Sequence, residues 1–453
     1  MKKIEILTIK VLMLSLLALI IFLDTPPIIK GSFIALWVAV AWAIEVVIKS
    51  VYFSISNTVI LIFYVVFFIA APSVQFLMRG NDLLINTLPV DDLDIGLANF
   101  MLAIWLIMYQ LSIIFLANKI KPIENSSVIS ILEMSANSVR SLAPVAISLA
   151  VFFLLFLRVL NEFGFNIHQS SLNEPQYFGL IFKKFLYVLP LSPFIILALK
   201  PINHKSIILL FLLALIVFFF KNPLIEHRNG FGVAYLLMTW IFFRNYLNSN
   251  LRLISFLMFV VLIFFPIGAL ISPSRYDNDT DYIAEFMYTF NRVHFDAWAH
   301  YVATFDYIKN NDLQLGHQLI SSIMFWVPRD FWSTKGVSTG MLLGDYLMER
   351  YSFWFNNISC VFPAEFVIDF GYVGIPLSAF LLGAATFLVD KIFYQGSFAA
   401  KLTSLYVSFN FLFIMRGPLL PSLAYTFGGA LSVYIGCLLT LRLDRFLKKR
   451  SIA

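Results

Sequence analysis

Apolar runs of about twenty residues recur along almost the whole chain. A helix needs about twenty residues to cross the hydrocarbon core of a bilayer, and a window of that length predicts about twelve spans. Because the seventh and eighth are short, counts of eleven and thirteen stay open. With 60% hydrophobic, 17% aromatic and 13% charged residues, the chain has too little charge to cover a soluble core. The sequence therefore predicts an all-α polytopic membrane protein with spans near 7–23, 32–52, 55–77, 96–117, 141–161, 179–199, 205–220, 230–244, 253–272, 366–389, 401–416 and 421–441.

The first apolar run is predicted to stay in the protein as a span. It follows Lys2 and Lys3, as a signal peptide would, but it ends in "DTPPIIK" without a small-residue cleavage site. The two cysteines, Cys360 and Cys437, indicate no disulfide framework.

The distribution of Lys and Arg predicts how the spans are oriented. Basic residues are enriched in cytoplasmic loops, and with the N-terminus inside, the tail "RLDRFLKKR" also falls inside. The acidic segment "NDLLINTLPVDDLDIG" then falls outside. The sequence predicts cytoplasmic termini and three regions: nine spans in 1–271, an extracytoplasmic loop in 272–363, and three spans with a basic tail in 364–453.

The long loop is predicted to be helical. Apolar residues from Ile283 to Ile308 follow three-and-four spacing, which is typical of an amphipathic helix. Arg292, Asp296 and His300 share the opposite face, either as a solvated face braced by an ion pair or as a row facing a substrate. A second helix, "GHQLISSIMFWV", is expected to end at Pro328, because the residue before proline resists helical angles.

Three arginines are predicted to lie on the extracytoplasmic side: Arg228, Arg329 and Arg416. Each could be a headgroup anchor that extends its charge toward the lipid surface. If they converged, their guanidinium groups would form a receptor for a lipid diphosphate, because guanidinium binds phosphate oxygens with a two-pronged fork.

No metal or nucleotide site is predicted. The histidines of the loop lack zinc-like spacing, the outer aspartates lack a calcium-loop pattern, and no Walker or dinucleotide fingerprint occurs. The sequence predicts no cofactor and no nucleic-acid partner.

Several tracts resemble the oligosaccharide repeat-unit polymerases, the Wzy family that assembles O-antigen and related surface polysaccharides. They are "FWVPRDFWSTKGVSTG", "PAEFVIDFGYVGI", "HRNG" and "MRGP". Arg329 and Gly340 also fit an arginine, ten residues, glycine pattern of some members. The resemblance implies a fold like the GT-C membrane glycosyltransferases, located in the bacterial inner membrane and independent of metal.

The resemblance also implies a reaction. A glycan carried on a polyprenyl diphosphate such as undecaprenyl diphosphate would pass to a sugar hydroxyl, with a chain-length regulator as a further partner. Arg228, Arg329 and Arg416 would stabilise the leaving diphosphate, and Glu365, which matches the glutamate of the family, is the first choice of base. Asp330, Asp296, His294, His300 and His317 stay open as bases. The residues expected to contact substrate are Lys335, Asp330, Arg292, Asp296, His300, Trp332 and Gly340.

Two other functions stay open. A flippase or another secondary transporter has a similar number of spans, but its charges usually lie near the midplane. An O-antigen ligase has an outer loop of similar size, and the "PR...W" and "E...DFG..G" tracts favour the polymerase.

Overall fold

The structure of the chain is a computed structural model. It describes residues 2–50, 52–79, 91–117, 125–140, 142–163, 185–201, 204–221, 228–264, 290 and 295–450. Within these ranges the chain is helical and contains no strand. Its α-helices are α1 Lys2–Phe22, α2 Pro27–Lys49, α3 Ile55–Tyr64, α4 Ala71–Arg79, α5 Asp92–Ala117, α6 Asn125–Asn137, α7 Leu142–Phe163, α8 Leu191–Ala198, α9 His204–Phe220, α10 Arg228–Phe243, α11 Asn250–Phe259, α12 Ala297–Asn310, α13 His317–Ile323, α14 Thr339–Tyr351, α15 Phe362–Phe370, α16 Gly374–Gln395, α17 Phe398–Arg416 and α18 Leu419–Arg450.

Each of the twelve predicted spans coincides with at least part of an apolar helix, but fewer are long enough to cross a bilayer. Seven helices in the described part of the chain meet the length and hydropathy of a span, and α6 with α7 would form an eighth that is bent by 83°. Four more apolar helices, in 185–262, are only 10–17 residues long. The protein is therefore a multi-pass membrane protein, with seven or eight candidate spans among its described residues.

One of these spans lies at the centre of the bundle. Helices α3 and α4 are joined by a π-helical stretch, Val65–Ala70, and the apolar window of Ile55–Met78 is completely buried. Four other spans, α2, α5, α16 and α17, and the shorter apolar helix α11 contact it.

Segments predicted to share one side of the membrane contact one another. At one end, which we call the basal end, Arg252 pairs with Glu5 and Arg140 donates its backbone N–H to Asp444. At the other end, which we call the loop end, α12 lies on α5 through the ion pair of Lys309 with Asp94. The alternation of the predicted spans is therefore consistent with the packing of the described residues.

The loop end differs from the prediction in two ways. Helix α13 ends at Ile323, five residues before Pro328, so the proline does not end it. Instead, the Lys335 ammonium donates hydrogen bonds to the carbonyls of Met324 (2.9 Å), Phe325 (3.1 Å) and Val327 (2.8 Å), which holds this turn in place.

The second difference concerns the charged face of the predicted amphipathic helix. Helix α12 covers only Ala297–Asn310, with Asp296 at its N-cap position, and the part of the prediction in 281–289 and 291–294 lies outside the described residues. Asp296 and His300 are both buried. The interpretation as a solvated face is therefore wrong for these two residues, because α12 is covered by protein on both faces.

Candidate functional site

A buried charged cluster lies at the start of α12. The Ser359 hydroxyl donates to Oδ1 of Asp296 over 2.7 Å, and Nη2 of Arg416 donates to the same oxygen over 3.4 Å. Nδ1 of His300 lies 3.4 Å from Oδ2 of Asp296 and 3.1 Å from Oγ of Ser359. We call these four residues, Asp296, His300, Ser359 and Arg416, the histidine cluster.

The contacts of Ser359 assign the tautomer of His300. Because the Ser359 proton points to the Asp296 carboxylate, its oxygen is left to accept a hydrogen bond from Nδ1 of His300. Nδ1 therefore carries the proton, and Nε2 of the neutral ring carries a lone pair. Nε2 is buried and has no hydrogen-bond partner among the described residues.

Burial is the main influence on the charge of His300. It lowers the pKa of the imidazole below its ordinary value of 6.5, the Arg416 charge lowers it further, and the Asp296 carboxylate partly opposes both. The ring is therefore neutral at pH 7 and able to accept a proton at Nε2.

Glu365 lies between the N-terminal ends of two helices, one of which begins three residues after Arg416. It is 1% exposed, and its Oε1 accepts the backbone N–H of Leu419, the first residue of α18, over 2.6 Å. Its Oε2 accepts the hydroxyl of Thr339, the first residue of α14. Negative charge is favourable at helix N-termini, so Glu365 ties the two helices together, and a base role would require one of these hydrogen bonds to be released.

Gly340 brings the two parts of the site together. A Cβ atom at this position would lie 2.3 Å from the Ile358 carbonyl oxygen and 2.6 Å from Cγ of Pro418. Ile358 precedes Ser359, and Pro418 lies between Arg416 and Leu419. Gly340 therefore lets α14 approach both segments closely; substrate contact by Gly340 stays a prediction.

The Arg329 guanidinium hydrogen-bonds to carbonyls of its own loop. Nη1 donates to the Lys335 carbonyl over 2.7 Å and Nη2 to the Gly336 carbonyl over 2.9 Å. Arg416 pairs instead with Asp296. Lys335 is buried and its pKa is lowered, first by burial and then by the Arg329 charge. In this arrangement both cations brace the segment 324–336.

Of the remaining predicted residues, the structure describes Asp330, Trp332 and His317 at the loop end. Asp330 is exposed, and the Trp332 indole lies edge-on to His317 with ring centroids 6.1 Å apart. Arg292 and His294 lie outside the described residues, and Arg228 begins α10 but its side chain also lies outside them. The convergence of three arginines therefore stays a prediction.

Sequence reasoning missed two residues, Ser359 and Thr339. Ser359 contacts Asp296 across 63 positions of the chain, and Thr339 contacts Glu365 across 26. A lone hydroxyl residue has no periodicity or motif that would single it out, so only the packing reveals these contacts.

No group of three or more His, Cys, Asp and Glu side chains is placed to hold a metal ion in the described ranges. A cavity of about 460 Å³ is lined by Glu5, Ser249 and Arg252 among others, at the basal end, so it lies far from the histidine cluster.

Fold and site together define a multi-pass helical membrane protein with a buried, hydrogen-bonded His–Asp–Ser–Arg cluster at one end of its bundle. In comparisons with known proteins, no family model, no characterised protein and no solved structure matches this chain.

Proposed function

We propose that this protein is a membrane glycosyltransferase that polymerises oligosaccharide repeat units carried on a polyprenyl diphosphate. Its fold would be of the GT-C type with about twelve spans, including the four short helices in 185–262. The termini would be cytoplasmic and the loop end extracytoplasmic, in the bacterial inner membrane. The tracts around Arg329 and Glu365 that resemble the Wzy family motivate the substrate class.

The observation that carries the proposal is the pairing of a cation and a base in the histidine cluster. Transfer from a diphosphate needs positive charge at the leaving group and an acceptor for the hydroxyl proton. Arg416 supplies a guanidinium that is 17% exposed, and the neutral His300 supplies the unpartnered Nε2. Both are held by one carboxylate, that of Asp296.

The proposed reaction exchanges one bond at the anomeric carbon of the donor. A hydroxyl oxygen of the acceptor glycan forms the new bond to this carbon while the bond to the diphosphate oxygen breaks. The hydroxyl proton passes to Nε2 of His300, and the electron pair leaves with the polyprenyl diphosphate, beside Arg416. Asp296 stabilises the imidazolium that forms and, with Ser359, fixes the ring orientation.

The arginines have distinguishable roles in this proposal. Arg416 acts on the leaving group, whereas Arg329 holds the loop at Lys335 and Gly336. Replacing a donor that contacts developing charge costs about 1.5–3 kcal/mol, which is roughly ten- to over a hundredfold in rate. Arg416→Ala should show this loss in kcat. Arg416→Lys should retain part of the kcat, because an ammonium keeps the positive charge but cannot donate two parallel hydrogen bonds as a guanidinium does.

The test uses purified protein in vesicles with polyprenyl-diphosphate-linked repeat units as substrate, and polymer length is read on a gel. The matched control is Arg350→Lys, at an arginine that is 45% exposed on α14 and pairs with Asp306. His300→Gln should reduce the rate by roughly a hundredfold or more, the usual contribution of a general base, while thermal stability stays close to wild type. Full polymer from Arg416→Ala and from His300→Gln would contradict the proposal.

Deletion of the gene separates the related functions. Surface glycan that collapses to single repeats supports the polymerase. Finished polymer that accumulates on the polyprenyl carrier would instead identify a ligase, and repeat units trapped on the cytoplasmic side would identify a flippase.

A further inference from the structure

The cavity of about 460 Å³ at the basal end is separate from the histidine cluster. It is enclosed by the start of α1, the end of α2 and the start of α11, and its lining combines charged, hydroxyl and apolar residues, including Glu5, Ile48, Phe53, Ser249, Leu251 and Arg252. Cavities of roughly 300–1,000 Å³ with apolar walls and few polar groups are typical of small-ligand sites.

The charged pair in this cavity has one unused acceptor. Nε of Arg252 donates to Oε1 of Glu5 over 3.2 Å, and the two side chains are only 21% and 12% exposed. Oε2 of Glu5 is buried and has no hydrogen-bond partner among the described residues. A buried carboxylate oxygen without a donor is costly, so the site favours a ligand that brings an N–H donor, above all a charged one.

The same pair also has one unused donor. Arg252 packs over the Tyr246 ring at 5.1 Å and its Nη1 donates to the Tyr246 carbonyl and to Asn248. The hydrogen bonds of Arg252 to described residues use Nε and Nη1, which leaves Nη2 for a ligand. A guanidinium N–H that lines a cavity is a good donor to a phosphate oxygen. The cavity therefore offers an acceptor for an ammonium and a donor for a phosphate side by side.

We propose that the basal cavity binds a phosphoethanolamine group, with the ammonium on Oε2 of Glu5 and the phosphate on Nη2 of Arg252. The source that the structure favours is the lipid phosphatidylethanolamine. Ile6 lines the cavity and is 38% exposed, and the next residue of α1, Leu7, is 60% exposed, so the acyl chains of a bound lipid would lie against apolar surface. The bound lipid joins α1 to α11, and this role is independent of the proposed glycosyl transfer.

The test compares lipids that differ only in the ammonium. Full-length protein is incorporated into nanodiscs containing equal amounts of phosphatidylethanolamine and phosphatidylcholine, and the lipids retained after extraction are counted by native mass spectrometry. Phosphatidylcholine has the same phosphate, but its quaternary nitrogen has no N–H to donate. We expect roughly tenfold preferential retention of phosphatidylethanolamine, the effect of one charged hydrogen bond.

The variant Glu5→Gln should abolish that preference. Since the side-chain oxygen of the glutamine must still accept from Nε of Arg252, its NH₂ group takes the place of Oε2 and meets the ammonium with a donor. The control is Glu45→Gln, at an exposed glutamate that pairs with Lys49 on the surface of α2, and it should keep the preference.

Each outcome of these experiments supports or overturns the proposed binding of phosphoethanolamine. Equal retention of the two lipids by wild-type protein, or an unchanged preference in Glu5→Gln, would overturn the proposal. Competition by soluble glycerophosphoethanolamine as strong as that of the lipid would keep the recognition chemistry and assign the site to a soluble ligand. Because these readouts need no catalysis, their failure would leave the proposed function untouched.

Discussion

Replacing Gly340 by alanine should disturb the loop end more than any comparable change at a helical glycine with free space. The new methyl group would lie 2.3 Å from the Ile358 carbonyl oxygen and 2.6 Å from Cγ of Pro418. Ordinary contacts of these atoms are longer than 3 Å, so a backbone segment or a proline ring must move by close to 1 Å. Neither can rotate out of the way, and such overpacking typically costs about 1–3 kcal/mol.

The measurement is thermal unfolding in detergent together with polymer synthesis. Gly340→Ala should lower the apparent Tm by about 1–3 °C and reduce synthesis further, because Ile358 adjoins Ser359 and Pro418 lies two residues from Arg416. The control is Gly232→Ala in α10, where a Cβ meets nothing within 4 Å. This change should be neutral or stabilise by up to about 1 kcal/mol through helix propensity.

The result that would refute this reasoning is a Gly340→Ala protein as stable as wild type. Normal stability with lost synthesis would instead favour the direct substrate contact that the arginine and glycine pattern suggests.

The contacts of Lys335, Asp390 and His300 give further predictions. Lys335→Met removes three hydrogen bonds to carbonyls, so hydrogen exchange should rise across 324–336, and unchanged protection would contradict the bracing role. Asp390→Asn weakens the buried hydrogen bonds that Asp390 accepts from the hydroxyls of Ser54 and Ser56. It should lower the free energy of unfolding by about 1.5–3 kcal/mol, whereas Asp330→Asn at the surface should leave it unchanged. Since burial lowers the pKa of His300, the unfolded chain binds more protons, and stability should rise with pH up to the ordinary value of 6.5. His300→Gln should remove that slope, and a slope kept in the variant would assign it to another group.

The apolar pattern predicted the helices of the bundle well, because burial in lipid or protein demands long uninterrupted hydrophobic runs. It predicted the number of spans less well. Helices such as α8 and α11 are apolar enough but short, and periodicity does not tell a spanning helix from one that is buried within the bundle.

In the candidate site, the sequence predicted only the contact between residues that are close together in the chain. The spacing of four between Asp296 and His300 predicted their contact, but not their burial, which depends on what α12 packs against. The pairing of Asp296 with Arg416 joins residues 120 positions apart. For Arg329 the sequence predicted a phosphate ligand, but the guanidinium hydrogen-bonds to its own loop. A sequence does not distinguish these two uses of an arginine.

The complete burial of the window in Ile55–Met78 has a consequence for biosynthesis. This helix emerges early from the ribosome, yet its polar N-terminal residues are satisfied late: Ser54 and Ser56 donate to Asp390, and Ser56 also contacts Ser408. More than three hundred residues must be translated before those partners exist. Until then the helix faces lipid or the insertion machinery with unpaired hydroxyl groups, so final assembly of the bundle waits for the last third of the chain.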